Sequence, residues 1–167
     1  DPTKPRLYNW YAVMGIHDND PNTPNKEFAP EGWHVPSDSE WTTLEEYLIA
    51  NGYNYDGTTT GNKIAKAMAS ATGWNFYDDL TIPGSIGFDH SLNNSSGFNA
   101  LPDGMRVIGG TFYDEGNLVM FWSSTESTES TEIEIQYINR SLYSTNIDLY
   151  RNDYYDAGGF SVRLVKD

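Results

Sequence analysis

The spacing of apolar and polar positions along the chain predicts short elements separated by long loops. Residues 6–14, Arg-Leu-Tyr-Asn-Trp-Tyr-Ala-Val-Met, are rich in aromatic and β-branched types and predict a strand. A polar loop follows from Asp18 to Lys26. The clearest local signal is Pro36-Ser37-Asp38-Ser39-Glu40-Trp41. Ser37 and Glu40 have the spacing of a capping box, in which hydroxyl and carboxylate reciprocally satisfy orphan amides of a first helical turn. Asp38 and Glu40 suit the positive end of the helix dipole. Trp41, Leu44 and Leu48 recur at helical spacing and Asn51-Gly52 supplies a stop, which predicts a helix over 38–50. A second helix is predicted over 61–71, where Ile64, Met68 and several alanines form an apolar stripe that Gly73 ends.

From Gly73 to Gly110 the chain is dense in Gly, Asn, Ser and Asp and has little periodicity. Loops this long inside a compact domain are uncommon, and are usually functional or belong to an unusual fold. Short strands are predicted within 98–108 and 118–123. Residues 124–132 are tandem Ser-Thr-Glu triplets, followed by Ile133-Glu134-Ile135-Gln136-Tyr137, which alternates as a half-buried strand does. Further strands are predicted over 146–151 and 159–165. No linker-like stretch divides the chain, so it reads as one α+β domain over 1–167, with 1–5 a flexible N-terminal segment.

Composition narrows the function classes. A hydrophobic share of 38%, with 15 Gly and 8 Pro, suits a loop-rich globular domain of 167 residues, long enough to bury its own core. Ten basic against 24 acidic residues give a net charge of -14, which repels phosphate backbones and anionic membranes. Nucleic acid is therefore excluded as a partner, and no apolar run approaches the roughly 18 residues of a spanning helix. The absence of cysteine removes disulfides, thiolate metal sites and cysteine nucleophiles together. The opening Asp1-Pro2-Thr3-Lys4-Pro5 is neither a signal peptide nor a methionine start, and reads as the beginning of a mature or trimmed fragment.

Several motifs then line up in order: Tyr8-Asn9-Trp10-Tyr11-Ala12-Val13, Gly32-Trp33-His34-Val35-Pro36-Ser37-Asp38-Ser39-Glu40-Trp41, Gly97-Phe98-Asn99-Ala100-Leu101-Pro102, Phe121-Trp122-Ser123-Ser124-Thr125-Glu126, Arg140-Ser141-Leu142 and Gly159-Phe160-Ser161-Val162-Arg163. Across residues 6–167 the chain resembles the Fibrobacter succinogenes major paralogous domain family of exported proteins and lipoproteins in Bacteroidetes-type bacteria. That resemblance implies a C-type-lectin-like fold related to formylglycine-generating enzymes: two helices, short twisted antiparallel strands and long loops. It also implies export and display at the cell surface or outer membrane. In some members of this wider group the C-terminal segment presents variable residues on a ligand-binding face. Members commonly have Cys where this chain has Leu164, and the Ser-Thr-Glu triplets depart from the usual family sequence.

The segment from Tyr137 to Asp156 is the leading candidate for binding. Its Tyr, Ser and Asn content is that of antibody paratopes, where Tyr offers area at small entropic cost and Asn adapts its hydrogen bonds. The expected contacts are Tyr137, Asn139, Tyr143, Asn146, Asp148, Tyr150, Asn152, Tyr154 and Tyr155. The same composition also fits a solvated hairpin whose Asn and Asp make turns. No cofactor is expected, although Asp18-Asn19-Asp20-Pro21-Asn22 offers oxygen ligands of the kind Ca²⁺ takes. That loop breaks the EF-hand pattern, with Thr23 at position six and Ala29 at position twelve, and Trp122-Ser123-Ser124 stands where sugar-binding lectins carry Trp-Asn-Asp. Glu126, Glu129 and Glu132 read as a solvated loop or exposed edge that discourages aggregation, or as a site for cations or a basic partner.

His17, His34 and His90 lie too far apart to form a short metal-binding motif. Phosphate-loop and Gly-x-Ser-x-Gly signatures are absent. Without cysteine the copper chemistry of formylglycine-generating enzymes is excluded, and scattered histidines argue against an iron site. With the surface display that the resemblance implies, the expectation is a non-enzymatic surface module recognising a glycan or protein ligand. The alternatives are a structural or adhesive subunit of an envelope assembly, and a hydrolase using carboxylates that the sequence does not single out.

Overall fold

The computed structural model describes residues 6–18, 20, 22–77, 82–131 and 135–167. In chain order the elements are α1 (Trp10–Val13), β1 (Trp33–His34), α2 (Asp38–Ala50), α3 (Ala65–Met68), a 3₁₀ turn at His90–Leu92, β2 (Met105–Arg106), β3 (Phe112–Tyr113), β4 (Leu118–Glu126), β5 (Gln136–Tyr143), β6 (Tyr150–Tyr155) and β7 (Val165–Lys166). The class is α+β, with few helices and small antiparallel sheets. β4, β5 and β6 form a three-stranded sheet in that order, while β1 pairs with β7 and β2 with β3. The β1–β7 ladder sets Trp33 opposite Lys166, and an isolated bridge joins Tyr8 to Phe160.

The central sheet separates two apolar clusters because β4 buries both of its faces. Val119 and Phe121 join Leu142 on one side, packed on Trp41 and Leu48 of α2 and on Ile64 and Met68 around α3. Leu118, Met120 and Trp122 face the other way, against Trp10 and Val13 of α1, Tyr137 and Phe160. Period-two alternation therefore sends successive β4 residues into different cores.

α2 has the predicted bounds. The Ser37 hydroxyl accepts from Glu40 N at 3.3 Å and Glu40 Oε2 accepts from Ser37 N at 2.8 Å, which completes the capping box. Asn51 N and Gly52 N donate back to Tyr47 O and Ile49 O and close the last turn.

Other expectations are corrected. Residues 6–14 do not form a strand: only Tyr8 pairs, and the Asn9 side chain accepts from Ala12 N to cap one helical turn. The helix expected over 61–71 shrinks to the single turn of α3. Gly61 has φ +72°, Asn62 spends its amide on Leu149, and Ala69 is extended beside Ala100. Of 98–108 only Met105 and Arg106 extend a ladder, and their partner strand β3 was not expected. Gly104 enters that pair at φ +70°, where a Cβ would overlap the Tyr113 carbonyl oxygen. β6 begins four residues later than the 146 predicted, since the chain is still turning through Asn146 to Leu149. Residues 159–161 make isolated bridges before the two-residue ladder of β7. β5 starts at Gln136; Ile133 and Glu134, assigned to the same strand, lie outside the described residues.

The long polar stretch after α3 is held by buried side chains rather than by ladders. Lys66, 3% exposed, sends its ammonium into an oxygen cage of Ser85 O (3.0 Å), Asp89 O (3.1 Å), Asn93 Oδ1 (3.0 Å) and Phe88 O. Asn93 in turn donates to Ser70 O at 3.0 Å. A buried ammonium needs such acceptors, and they fix the path of residues 85–93.

Candidate functional site

A polar cleft of about 590 Å³ opens where α2 meets the turn into β6, lined by Thr42, Glu45, Asn62, Arg140, Asp148, Leu149, Tyr150 and Arg151. Helical spacing brings Asp38, Thr42 and Glu45 to one flank of α2. Asn62 forms the adjoining wall. Its Oδ1 accepts from Leu149 N at 3.0 Å, while Nδ2 donates to Leu149 O at 2.8 Å and Glu45 Oε1 at 2.9 Å. One amide side chain thereby fixes both the turn and a carboxylate.

Arg140 belongs to the cleft floor and its side chain is 1% exposed. Nη1 lies 2.6 Å from Asp38 Oδ1, as an ion pair rather than an aligned hydrogen bond. Nη2 donates to Asp38 O at 3.3 Å and Thr42 Oγ1 at 3.1 Å, and the buried Nε has no acceptor among the described residues. On the neighbouring strand Arg151 grips the same carboxylate, with Nε at 3.1 Å from each oxygen and Nη2 at 3.0 Å from Oδ2. Burial opposes ionisation of Asp38, but the Arg151 and Arg140 guanidiniums outweigh it and hold the carboxyl below its ordinary range. Glu45 goes the other way: burial pushes its carboxyl up, against the pull of Arg140 and Asn62. The cleft thus presents donors, acceptors and both signs of charge within one concavity, which suits a ligand rich in hydroxyls or peptide groups.

The expected contact residues divide by strand face. Asp148 and Tyr150 line the cleft. Asn146 Nδ2 donates to the Tyr150 hydroxyl at 2.6 Å, and the Tyr150 ring sits edge-on to Tyr143 with centroids 5.6 Å apart, so these form one group. Asn152 is half-buried and donates to Ser141 Oγ at 2.8 Å. Tyr154 packs on Phe160 at 5.2 Å, and Tyr155, on the opposite face of β6, is exposed. Tyr137 and Asn139 are interior residues. Tyr137, 5% exposed, stacks on Trp10 at 3.5 Å. Asn139 is wholly buried, with neither amide atom hydrogen-bonded among the described residues. Neither side chain reaches the surface where a ligand could touch it.

Sequence reasoning missed Thr42, Glu45, Asn62, Arg140 and Arg151. For Arg140 a signal existed: a cation within a strand otherwise facing apolar cores must find a buried anion. The acidic first turn of α2 supplies it. Beside the sheet's far end, Asp156 accepts from the Tyr11 hydroxyl and pushes its pKa up to about 12.

In the loop considered for Ca²⁺, Asp18 Oδ1 accepts from Asp20 N and Asp20 Oδ1 from Asn22 N and Nδ2, each at 2.9 Å. Asn19 and Pro21 lie outside the described residues. No group of three His, Cys, Asp or Glu poised for a metal occurs among the described residues. The Ser-Thr-Glu region is partly built into the fold. Glu126 ends β4, and Ser127 is buried with its hydroxyl on Asp153 Oδ2 at 2.9 Å. Ser130 Oγ exchanges bonds with the Gln136 backbone, Glu129 is exposed, and Glu132 lies outside the described residues. His34 hydrogen-bonds Asp167 Oδ1 at 2.6 Å and Glu40 Oε1 at 2.7 Å, tying β1 to the cap of α2. No helix among the described residues is long and apolar enough to cross a membrane.

No curated protein and no solved structure matches the chain. The model of the Fibrobacter succinogenes major domain matches residues 2–166, and the chain therefore belongs to that family.

Proposed function

We propose that this domain is a non-enzymatic binding module, exported and displayed at a bacterial surface, that recognises a glycan or protein ligand through its C-terminal strands and loops. The observation that carries the reading is the cleft in which Asp148, Tyr150 and Arg151 of the C-terminal segment meet Thr42, Glu45 and Asn62. Saccharide hydroxyls pair with carboxylates, amides and guanidinium groups, and Tyr150 offers an aromatic edge beside them. We assign the architecture to the C-type-lectin-like group. Support comes from the pairing of N-terminal with C-terminal segments through the β1–β7 ladder and the Tyr8–Phe160 bridge, the small antiparallel sheets and the long loops.

The test is a glycan and mucin array probed with the purified domain, first with calcium and then with chelator. Selective binding that Asp148→Asn and Tyr150→Ala each weaken supports the reading. Binding that neither substitution changes refutes this site, and a blank array under both conditions removes carbohydrate as the ligand. Signal lost in chelator assigns a role to calcium.

A second reading, an adhesive or structural subunit of an envelope assembly, is favoured by the β2–β3 hairpin. Ile108, Phe112 and Tyr113 are there 55%, 68% and 51% exposed. Exposed apolar side chains concentrated in one short hairpin offer surface for a contact with a neighbouring subunit. Sedimentation that shows concentration-dependent association, lost in Phe112→Ser, selects this reading.

A further inference from the structure

We propose that a second cavity, on the opposite flank of α2 from the polar cleft, is a site for a small apolar molecule bearing one carboxylate. The cavity holds about 510 Å³ between α2 and the C-terminal segment, within the size range of small-molecule sites. Its walls are Trp41, Leu44, Tyr47, Phe98, Leu164 and Val165. Helical periodicity explains the separation: residues 38, 42 and 45 serve the cleft, while 40, 44 and 47 turn to the cavity.

Charge selects the ligand class. Arg163 is exposed at the cavity with its guanidinium stacked 4.6 Å above the Phe98 ring. It has no carboxylate partner among the described residues, whereas Arg140 and Arg151 share Asp38 and Lys63 pairs with Asp56. Stacking occupies the face of the Arg163 guanidinium and leaves its N–H edge free for the bidentate geometry that carboxylates accept. The one acid on the cavity wall, Glu40, is already engaged by Ser37 and His34, which limits its repulsion of an incoming anion. Trp41, 2% exposed, adds a buried indole N–H that has no acceptor among the described residues. Apolar walls with a single cation at the rim match an alkyl or aryl monocarboxylate.

The probe is octanoate, titrated by calorimetry and by NMR of the tryptophan indole N–H signals, with 1-octanol as the uncharged comparison. Saturable one-site octanoate binding that shifts the Trp41 signal is expected. Arg163→Gln should weaken it about ten-fold or more, the size of a lost charge-assisted pair, and leave 1-octanol unaffected. Leu44→Trp should fill the cavity and abolish binding of both, with circular dichroism reporting the fold. If that variant misfolds, Arg163→Gln alone decides. No octanoate binding at millimolar concentration overturns the proposal, as does equal affinity in Arg163→Gln. Binding only of a peptide ending in a free leucine carboxylate, and not of octanoate, also overturns it and makes the groove a peptide-docking surface.

Discussion

Asp38 is the residue whose loss should cost this fold most for the fewest atoms changed. Its carboxylate neutralises Arg140, whose side chain is 1% exposed, and also Arg151, whose side chain is 52% exposed. Asp38→Asn keeps the shape but leaves a buried guanidinium without its counter-charge. Breaking a buried pair from one side costs about 3–5 kcal/mol, and removing an acid from the first turn of α2 adds roughly 0.3–1 kcal/mol. Arg151→Gln removes only an exposed partner and should cost under about 1 kcal/mol. The double variant Asp38→Asn with Arg140→Met removes both charges and should recover much of the loss. Urea unfolding, followed by fluorescence and circular dichroism together, measures each arm without the screening an ionic denaturant brings. The pH dependence gives an internal check. Asp38 titrates below its ordinary 3.8 in the fold, so its contribution is complete above the unfolded value and is lost as pH falls through the folded one. The gap between wild type and Asp38→Asn should therefore close in strong acid. The reasoning fails if Asp38→Asn costs no more than Arg151→Gln, or if the cycle shows no coupling between Asp38 and Arg140.

Two further outcomes follow from the ties at the chain's ends and at the sheet centre. The Asp167 carboxylate, followed by Glu40, raises the His34 pKa above 6.5, so its stabilising charge is present below that value and is lost as pH rises through the folded pKa. An NMR titration of the His34 ring should show a midpoint above 6.5 that falls in Asp167→Asn, and a midpoint at or below 6.5 in the wild type contradicts the ion pair. Asn139→Leu replaces two unbonded buried polar atoms with an apolar group of similar size and should be neutral or stabilising. A loss above about 2 kcal/mol in chemical unfolding would show that the amide is satisfied after all.

What the sequence made legible was local. The cap and the three- and four-residue spacing that define α2 lie within fourteen consecutive positions, from Ser37 to Ala50, and nothing distant is needed to read them. The cleft was only half legible, because its halves are joined across the chain: Arg140 and Asp38 are 102 positions apart, and Asn62 and Leu149 are 87. Tyrosine added ambiguity of a physical sort. It packs as readily as it displays, so composition could not separate Tyr137, stacked on Trp10, from Tyr155, which faces solvent. One-turn helices and two-residue strands were lost for a related reason: periodicity needs several repeats before it rises above chance.

The division between packed and free positions bears on how such a domain could change its ligand. β4 and β5 bury both faces, so substitutions at Tyr137, Asn139 or Leu142 alter a core. β6 is a sheet edge, and the turn before it is held from outside by the Asn62 amide, by the Asn146–Tyr150 hydrogen bond and by the buried Leu149 side chain. Asp148 and Tyr155 therefore carry little of the packing, and Arg151 contributes only its exposed half of the Asp38 network. On the binding proposal, specificity would be set at these positions, while Asn62, Glu45 and Arg140 keep the cleft's shape. Exchange of Asp148, Arg151 and Tyr155 among related chains should then alter ligand choice with little change in unfolding midpoint, whereas exchange of Tyr137 and Leu142 should unfold the protein before it changes recognition.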